Sequence, residues 1–202
     1  AAFLVIFANL IRTQIFAGDY YRGLAGNNRI RKILIPAPRG IIFDRNGNEL
    51  VSNVPTFSLD GQTISKDQAI SLEADGKIVE INTKRSYLFE EIFAHVLNGV
   101  EQKYDEKLRG RDGAEIAEVD AVGKKLRVIE TIAPIPGENL TLTLDKDLQK
   151  TAYEEIKNRT GAIIITNSQT GAILTLVSSP SFNPEKIADF LNDPKQPLFD
   201  RA

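Results

Sequence analysis

The chain has 202 residues, of which 42% are hydrophobic and 26% charged, with a formal net charge of −2. This composition suits a folded protein, argues against wholesale disorder and lacks the basic surplus of a nucleic-acid binder. There is no cysteine, which excludes a disulfide framework, a thiolate nucleophile and a Cys-based zinc site.

The chain opens "AAFLVIFANLIRTQIFAGDYY". Ala1 to Ile11 is apolar apart from Asn9, about half of the roughly 20 residues that span a bilayer. No basic leader or small-residue cleavage pattern marks a secretory signal. A buried amphipathic helix is one reading. The preferred one is the outer half of a transmembrane helix, with Arg12 and Gln14 near the interface and Tyr20 and Tyr21 as interfacial anchors. The helix is predicted to run to about Leu24 and to end at "AGNN", with Gly26 just past its last turn.

Arg29 to Leu59 comes next. "RIRKILI" alternates basic and apolar residues, the pattern of a strand with one wet face. Pro36 and Pro38 cannot donate to a ladder and impose an extended path. Ile41–Phe43 and Glu49–Val51 are predicted as two short strands. They are joined by Asp44-Arg45-Asn46-Gly47, whose Asp suits the first turn position and whose Asn or Gly accepts a positive φ.

Gly61 to Ala133 is more polar and less regular. A helix is predicted around Tyr87–Leu97, where Phe89, Ile92, Phe93 and Val96 recur at helical spacing. His95, the single histidine, sits on its flank. A general base needs partners within hydrogen-bond reach, and none is evident nearby, so His95 reads as a packed side chain. Glu101–Leu108 reads as a charged, solvated helix. Glu115–Val119 and Leu126–Ile129 read as strands around an "AVGKK" turn, with alternating charges on a wet surface.

"PIPGENL" marks a boundary near Pro134–Gly137. "NLTLTLD" is predicted as a strand. Asp145 caps a helix with Leu148, Ala152 and Ile156 on one face. Ala162–Thr166 and Ala172–Ser178 form an apolar hairpin, expected at the centre of a covered sheet. A last helix starts at Asn183-Pro184, with Ile187, Phe190 and Leu191 on one face.

Candidate chemistry is sparse. No lysine stands three residues after Ser178, Ser179 or Ser181, so these serines are expected to serve turns and helix starts. Ser65 and Lys66 are adjacent, not spaced. Asp44 is accounted for by its turn and Asp145 by capping, which leaves no carboxylate pair and no metal site. No glycine loop has phosphate-cradle spacing, and no cofactor is expected. Arg39 and Arg45 remain. The plain expectation is ion pairing with Asp44 or Glu49, holding segments together through the bidentate reach of arginine.

The order of these pieces resembles the class B penicillin-binding proteins, the bitopic D,D-transpeptidases that cross-link peptidoglycan. "PAPRGIIFDRNGNELVSNVPTFSL" looks like the family's membrane-proximal motif R-G-x-I-x-D-R-N-G-x-x-L-A-x-N, with Val51-Ser52 a mild departure. "YDEKLRGRDGAEIAEVDAVGK" resembles the second pedestal motif, matching at Tyr104, Asp105, Leu108, Gly110, Gly113 and Asp120. "LTLTLDKDLQKTA" and "GAIIITNSQTGAILTLVSSPSFNP" resemble the opening of the transpeptidase domain. The "PAPRG" form leans toward the elongation-type enzyme over the septal one. The segment before the second motif is short, as if the pedestal head were trimmed.

The resemblance implies an α+β chain. A membrane-helix remnant (residues 1–25) would precede a β-rich pedestal or dimerisation domain (26–135) and the start of an α/β transpeptidase domain (136–202). The family's Ser-x-x-Lys, Ser-x-Asn and Lys-Thr/Ser-Gly motifs are not present in working context, so the chain is expected to be non-catalytic. The implied site is one of structure and coupling: Arg39, Gly40, Asp44, Arg45, Asn46 and Gly47. Implied partners are the membrane, a SEDS-family glycosyltransferase and other cell-wall synthesis proteins. Peptidoglycan stem peptides would be bound by the full-length protein, a homodimer is allowed, and nucleic acid is not a partner. The implied location is the inner membrane, single-pass, with most of the chain periplasmic. A natural membrane-anchored, non-enzymatic module that regulates the synthase is the alternative.

Overall fold

The computed structural model describes residues 2–16, 29–59 and 61–202. The expected helix end at Gly26 and the anchors Tyr20 and Tyr21 lie outside the described residues. In chain order the elements begin with α1 (Ala2–Ile11), β1 (Ile30–Ile35), β2 (Ile42–Phe43), β3 (Glu49–Leu59), β4 (Gln62–Ile64), α2 (Lys66–Ala74) and β5 (Glu80–Tyr87). They continue with α3 (Ala94–Lys103), α4 (Asp105–Arg109), β6 (Gly113–Val119), β7 (Lys125–Ile132), β8 (Leu140–Thr141), α5 (Lys146–Ile156), β9 (Gly161–Thr166) and β10 (Ile173–Ser179). The architecture is α+β and rich in strands, as expected.

The chain divides into two compact units. Unit 1 comprises Ala1–Ile35, Phe57–Ile81 and Gly113–Ala133. Its main sheet is antiparallel in the order β1-β6-β7. Ile30 stands opposite Glu118 and Leu34 opposite Ala114, which in turn faces Ile132. Ala114, Ala117 and Val119 are buried, whereas Leu34, Leu126, Val128 and Ile132 on the two edge strands stay exposed. The predicted wet hairpin around "AVGKK" is therefore present. The end of β3 folds onto β4, with Phe57 opposite Ile64. Helix α2 starts at a capping box, in which the Ser65 hydroxyl accepts from Gln68 N and the Gln68 side chain accepts from Ser65 N. This element and β5 were not evident in the sequence, because α2 buries only Ala69 and so shows almost no apolar stripe. No helix among the described residues is long and apolar enough to cross a membrane.

Unit 2 comprises Pro36–Thr56, Asn82–Asp112 and Pro134–Ala202. Strand β2 pairs antiparallel with the start of β3 and parallel with β8, placing Ile42 between Val51 and Leu140. Ile42, Leu50, Val51, Phe93, Leu97, Leu108 and Leu144 form its core. The predicted Tyr87–Leu97 helix is instead a strand end, a single 3-10 turn (Glu90–Ile92) and then α3. Helix α5 begins where expected, with the Asp145 carboxylate accepting from Asp147 N and Leu148 N. Its buried stripe is Gln149, Ala152 and Ile156; Ala152 and Ile156 were predicted, but Gln149 stands in place of Leu148, which is exposed. Ala152 and Ile156 pack on Val177 of β10, the partner of β9. The two strands make a sheet of their own, not the centre of a covered one, and Ile164 and Ile173 remain exposed. Asn183 caps as predicted, accepting from Glu185 N. It opens a 3-10 stretch, Pro184–Phe190, that is broken at Lys186. Leu191 lies beyond it, exposed.

Candidate coupling site

The segment from Pro36 to Asn48 holds all six residues expected to form the site, and backbone contacts pin it. Gly40 N donates to Leu108 O at 2.8 Å, and Gly137 N donates to Pro38 O at 2.9 Å. A Cβ on Gly40 would stand 1.8 Å from Glu138 O, and one on Gly137 would stand 1.9 Å from Leu108 O. Real Cβ atoms do not come so close to backbone oxygen, so these two glycines allow three backbone segments to pass in contact. Ile41 N then donates to Asn139 Oδ1, and Leu140 N and Leu142 N donate to Ile41 O and Phe43 O.

Asp44 is fully buried. Its Oδ1 accepts from Asn46 N and Asn48 N, both at 2.8 Å, and its Oδ2 accepts from Asn48 Nδ2 at 2.9 Å and Lys146 N at 3.2 Å. Burial by itself would push the carboxyl pKa up, but the donors from Asn48, Lys146 and Asn46 outweigh it and hold it below the ordinary 3.8. Gly47 supplies the positive φ of +83°. Asn46 Nδ2 donates to Asp145 Oδ2 at 3.1 Å, and Arg45 N donates to Leu144 O at 2.9 Å. The turn is thus tied at three points to the start of α5.

Arg39 does not pair with Asp44 or Glu49, as the plain expectation had it. Its Nη2 donates to Glu101 Oε2 at 2.8 Å and its Nη1 meets Asp105 Oδ1 at 2.7 Å. Arg85 Nε donates to Glu101 Oε1 at 2.8 Å, Arg85 Nη1 to Asn53 Oδ1 at 2.9 Å, and Asn53 Nδ2 to Arg39 O at 2.6 Å. The result is a closed ring, Arg39–Glu101–Arg85–Asn53, in which one carboxylate holds two guanidinium groups. Burial would lower the Arg39 pKa, but Asp105 and Glu101 keep it above the usual value. Arg39 in turn holds Asp105 below the usual carboxylate range, with Arg109 assisting. Arg45 is exposed and its side chain makes no ion pair among the described residues. It joins through its backbone alone.

A second set of contacts fixes the 3-10 turn Glu90–Ile92 to α5 and to the segment after β10. Gln149 is fully buried. Its Nε2 donates to Ile92 O and Leu176 O, while its Oε1 accepts from Leu176 N. Tyr153 OH donates to Glu91 Oε2 at 2.8 Å and Ser181 Oγ to Glu91 O at 2.6 Å. His95 meets the Phe182 ring edge-on at 5.0 Å. Burial lowers its pKa, which suits a packed side chain.

Sequence reasoning missed Glu101, Arg85, Asn53 and Gln149. Their partners are far away in the chain, 62 positions for Arg39–Glu101 and 57 for Ile92–Gln149. Only a polar residue at an apolar position of α5 marked Gln149. Among the described residues no group of acidic or histidine side chains could hold a metal. Ser178 Oγ accepts from Arg201 N, Ser181 Oγ donates to Glu91 O, and Ser179 Oγ is buried without a hydrogen-bond partner among the described residues. The arrangement ties the Pro36–Asn48 segment to α3, α4 and the start of α5.

Residues 97–142 match the family described as Penicillin-binding Protein dimerisation domain, a span that includes Glu101, Asp105 and the Leu108–Gly137 crossing. The chain is homologous to the penicillin-binding proteins. Over 98% of its length it is 27% identical to the peptidoglycan D,D-transpeptidase MrdA of Acinetobacter baumannii. It is 24% identical to that of Escherichia coli over the same share. The fold is shared with the penicillin-binding protein PBP2 of Helicobacter pylori, solved in complex with MreC. The TM-score is 0.62 at 20% identity, covering 85% of this chain and 49% of that one. The homology is thus to the elongation type. The chain spans less than half of these relatives, 42% of the Acinetobacter protein and 46% of the Escherichia protein. The Acinetobacter alignment runs over 285 positions, more than the 202 of this chain. The relative therefore carries additional residues inside the matched span.

Proposed function

We propose that the chain is the non-catalytic N-terminal portion of a peptidoglycan D,D-transpeptidase, which anchors the enzyme to the membrane and orients its catalytic domain. The observation that carries this reading is the Asp44 turn. Asp44 accepts from Lys146 N and Asn46 donates to Asp145, so the membrane-proximal motif grips the first helix of the transpeptidase-like segment directly. The six-residue site acts through this grip. Arg39 sets the strand joint through Glu101, Gly40 admits the backbone crossing, and Asp44, Asn46 and Gly47 form the clasp, with Arg45 contributing its N–H.

In this reading residues 1–25 are the end of the membrane anchor, residues 26–135 the pedestal and residues 136–202 the opening of the transpeptidase domain. The bulk of the chain lies on the periplasmic side. The pedestal meets cell-wall synthesis partners, a SEDS-family glycosyltransferase and an MreC-type protein among them. Fluorescent penicillin tests the division of labour. The 202-residue chain should remain unlabelled, and a chain continued through a Ser-x-x-Lys motif should label covalently. Labelling of the 202-residue chain would overturn the non-catalytic assignment.

A further inference from the structure

We propose that the β6–β7 turn and the start of β1 form a second membrane contact, separate from the helix α1, which takes the anionic headgroups of phospholipids. The ladder register places the two at one end of the sheet, since Ile30 pairs with Glu118, next to the turn that begins after Val119. Between them lies an open cleft of about 770 Å³, lined by Ile30, Arg31, Lys32, Asp120 and Val122 among others. Arg31 and Lys32 are exposed and make no ion pair among the described residues. They point to opposite faces of the sheet, so positive charge flanks the cleft on both sides. The acidic side chain in the cleft is occupied, because Asp120 Oδ1 accepts from Val122 N and Lys124 N.

Val122, at the tip, is 92% exposed. The same turn occurs at Asp44, where the side chain in the corresponding position, Asn46, reaches another element of its unit. At the second turn that position holds an apolar side chain left in solvent. An apolar tip with a cationic collar suits the boundary between headgroups and acyl chains. The chain also enters the sheet at this end. The apolar α1 and the helical turn after it close at Phe16, and β1 opens at Ile30. The roughly 13 residues between them reach at most about 45 Å when fully extended. A membrane-inserted α1 would therefore keep the tip within reach of the lipid surface. This proposal rests on the reading of α1 as the end of a membrane anchor.

The chain has no tryptophan, so V122W is a single reporter at an exposed position. The full 202-residue V122W chain is mixed with vesicles of phosphatidylcholine alone or with phosphatidylglycerol added. Flotation reads α1, and emission wavelength with quenching by brominated lipid reads the tip. Expected are flotation on both vesicle types, but a blue shift and quenching only with phosphatidylglycerol. Adding R31Q and K32Q should shift the docked-to-free ratio of the tip about thirtyfold toward free, and 0.5 M salt should weaken docking further. Flotation without any emission change would overturn the headgroup contact and leave the anchor reading standing. An emission change without flotation of the parent chain would overturn the anchor reading instead. Neither response would overturn both. An emission change equal on both vesicle types and indifferent to R31Q/K32Q would reduce the tip to apolar adsorption and overturn the charge-based site.

Discussion

Each unit contains an Asp-x-x-Gly turn and a glutamate that holds two arginines. Asp44 Oδ1 and Asp120 Oδ1 each accept from the N–H groups two and four residues on. Gly47 and Gly123 have φ values of +83° and +84°. Glu101 bridges Arg39 and Arg85, and Glu118 bridges Arg29 and Arg127. The local chemistry is the same, but the surroundings are not. The arginines on Glu101 are 24% and 13% exposed, those on Glu118 63% and 73%. Asp44 spends its second oxygen on Lys146 N and Asn48 Nδ2, whereas no such bond forms at Asp120 among the described residues. A turn motif or an ion triad thus sets a shape. Whether it holds a fold together depends on what else the same atoms touch.

Paired substitutions should separate the two copies. Glu101→Ala leaves the largely buried Arg85 without its carboxylate and Arg39 with Asp105 alone, and should destabilise unit 2 by about 3 kcal/mol, read as a shift in urea midpoint. Glu118→Ala returns its arginines to water and should leave the midpoint close to that of the parent; equal shifts would dissolve the contrast. Asp44→Ala orphans four donors and should cost about 2–3 kcal/mol, against about 1 kcal/mol for Asp120→Ala, which loses only its local turn bonds.

Acid should sharpen the same contrast. The Asp44 carboxyl sits below its ordinary 3.8 when folded. Its contribution is therefore present above that value and is lost as pH falls through the lower folded pKa. Urea midpoints measured from pH 7 down to about pH 2.5 should drop at the acid end, and Asp44→Asn should flatten part of that drop. A parent chain as stable at about pH 2.5 as at about pH 5 would contradict the Asp44 assignment. The smallest effect is expected at the tips. Val122→Asn should leave the urea midpoint unchanged within about 0.5 kcal/mol, while Asn46→Val loses the bond to Asp145 and should cost about 0.5–1 kcal/mol.

Much of the fold was legible where the determinants are local. The Asp44 turn, the Asp145 cap, the β9–β10 hairpin and the β6–β7 pair all arise from residues within a few positions of one another. Glu101 was not legible. "EQKYDEKL" has the look of a solvated helix, and nothing nearby reveals that Arg39 and Arg85 converge on its first residue. The α5 stripe was read correctly at Ala152 and Ile156 but not at its start, because Gln149, polar and fully buried, takes the place expected of Leu148. Helix α2 lacks an apolar stripe to find. Of the six site residues, the sequence showed the turn Asp44-Arg45-Asn46-Gly47 but gave no sign of the backbone crossing at Gly40. It assigned Arg39 the wrong partners, since ion pairs between distant segments leave no trace in spacing.

The crossing at Gly40 and Gly137 has a consequence for temperature. Neither glycine puts a side chain between the passing segments, so the contact relies on Gly40 N–Leu108 O and Gly137 N–Pro38 O and very little on buried apolar area. Apolar hydration dominates the heat capacity of unfolding and weakens apolar burial on cooling. A joint made of backbone dipoles does not share that weakness. On chilling, the packing of Ala152 and Ile156 on Val177 should loosen before the glycine crossing does, and the segment from Pro36 to Asn48 should stay seated in the cold when the periphery of its unit has begun to yield.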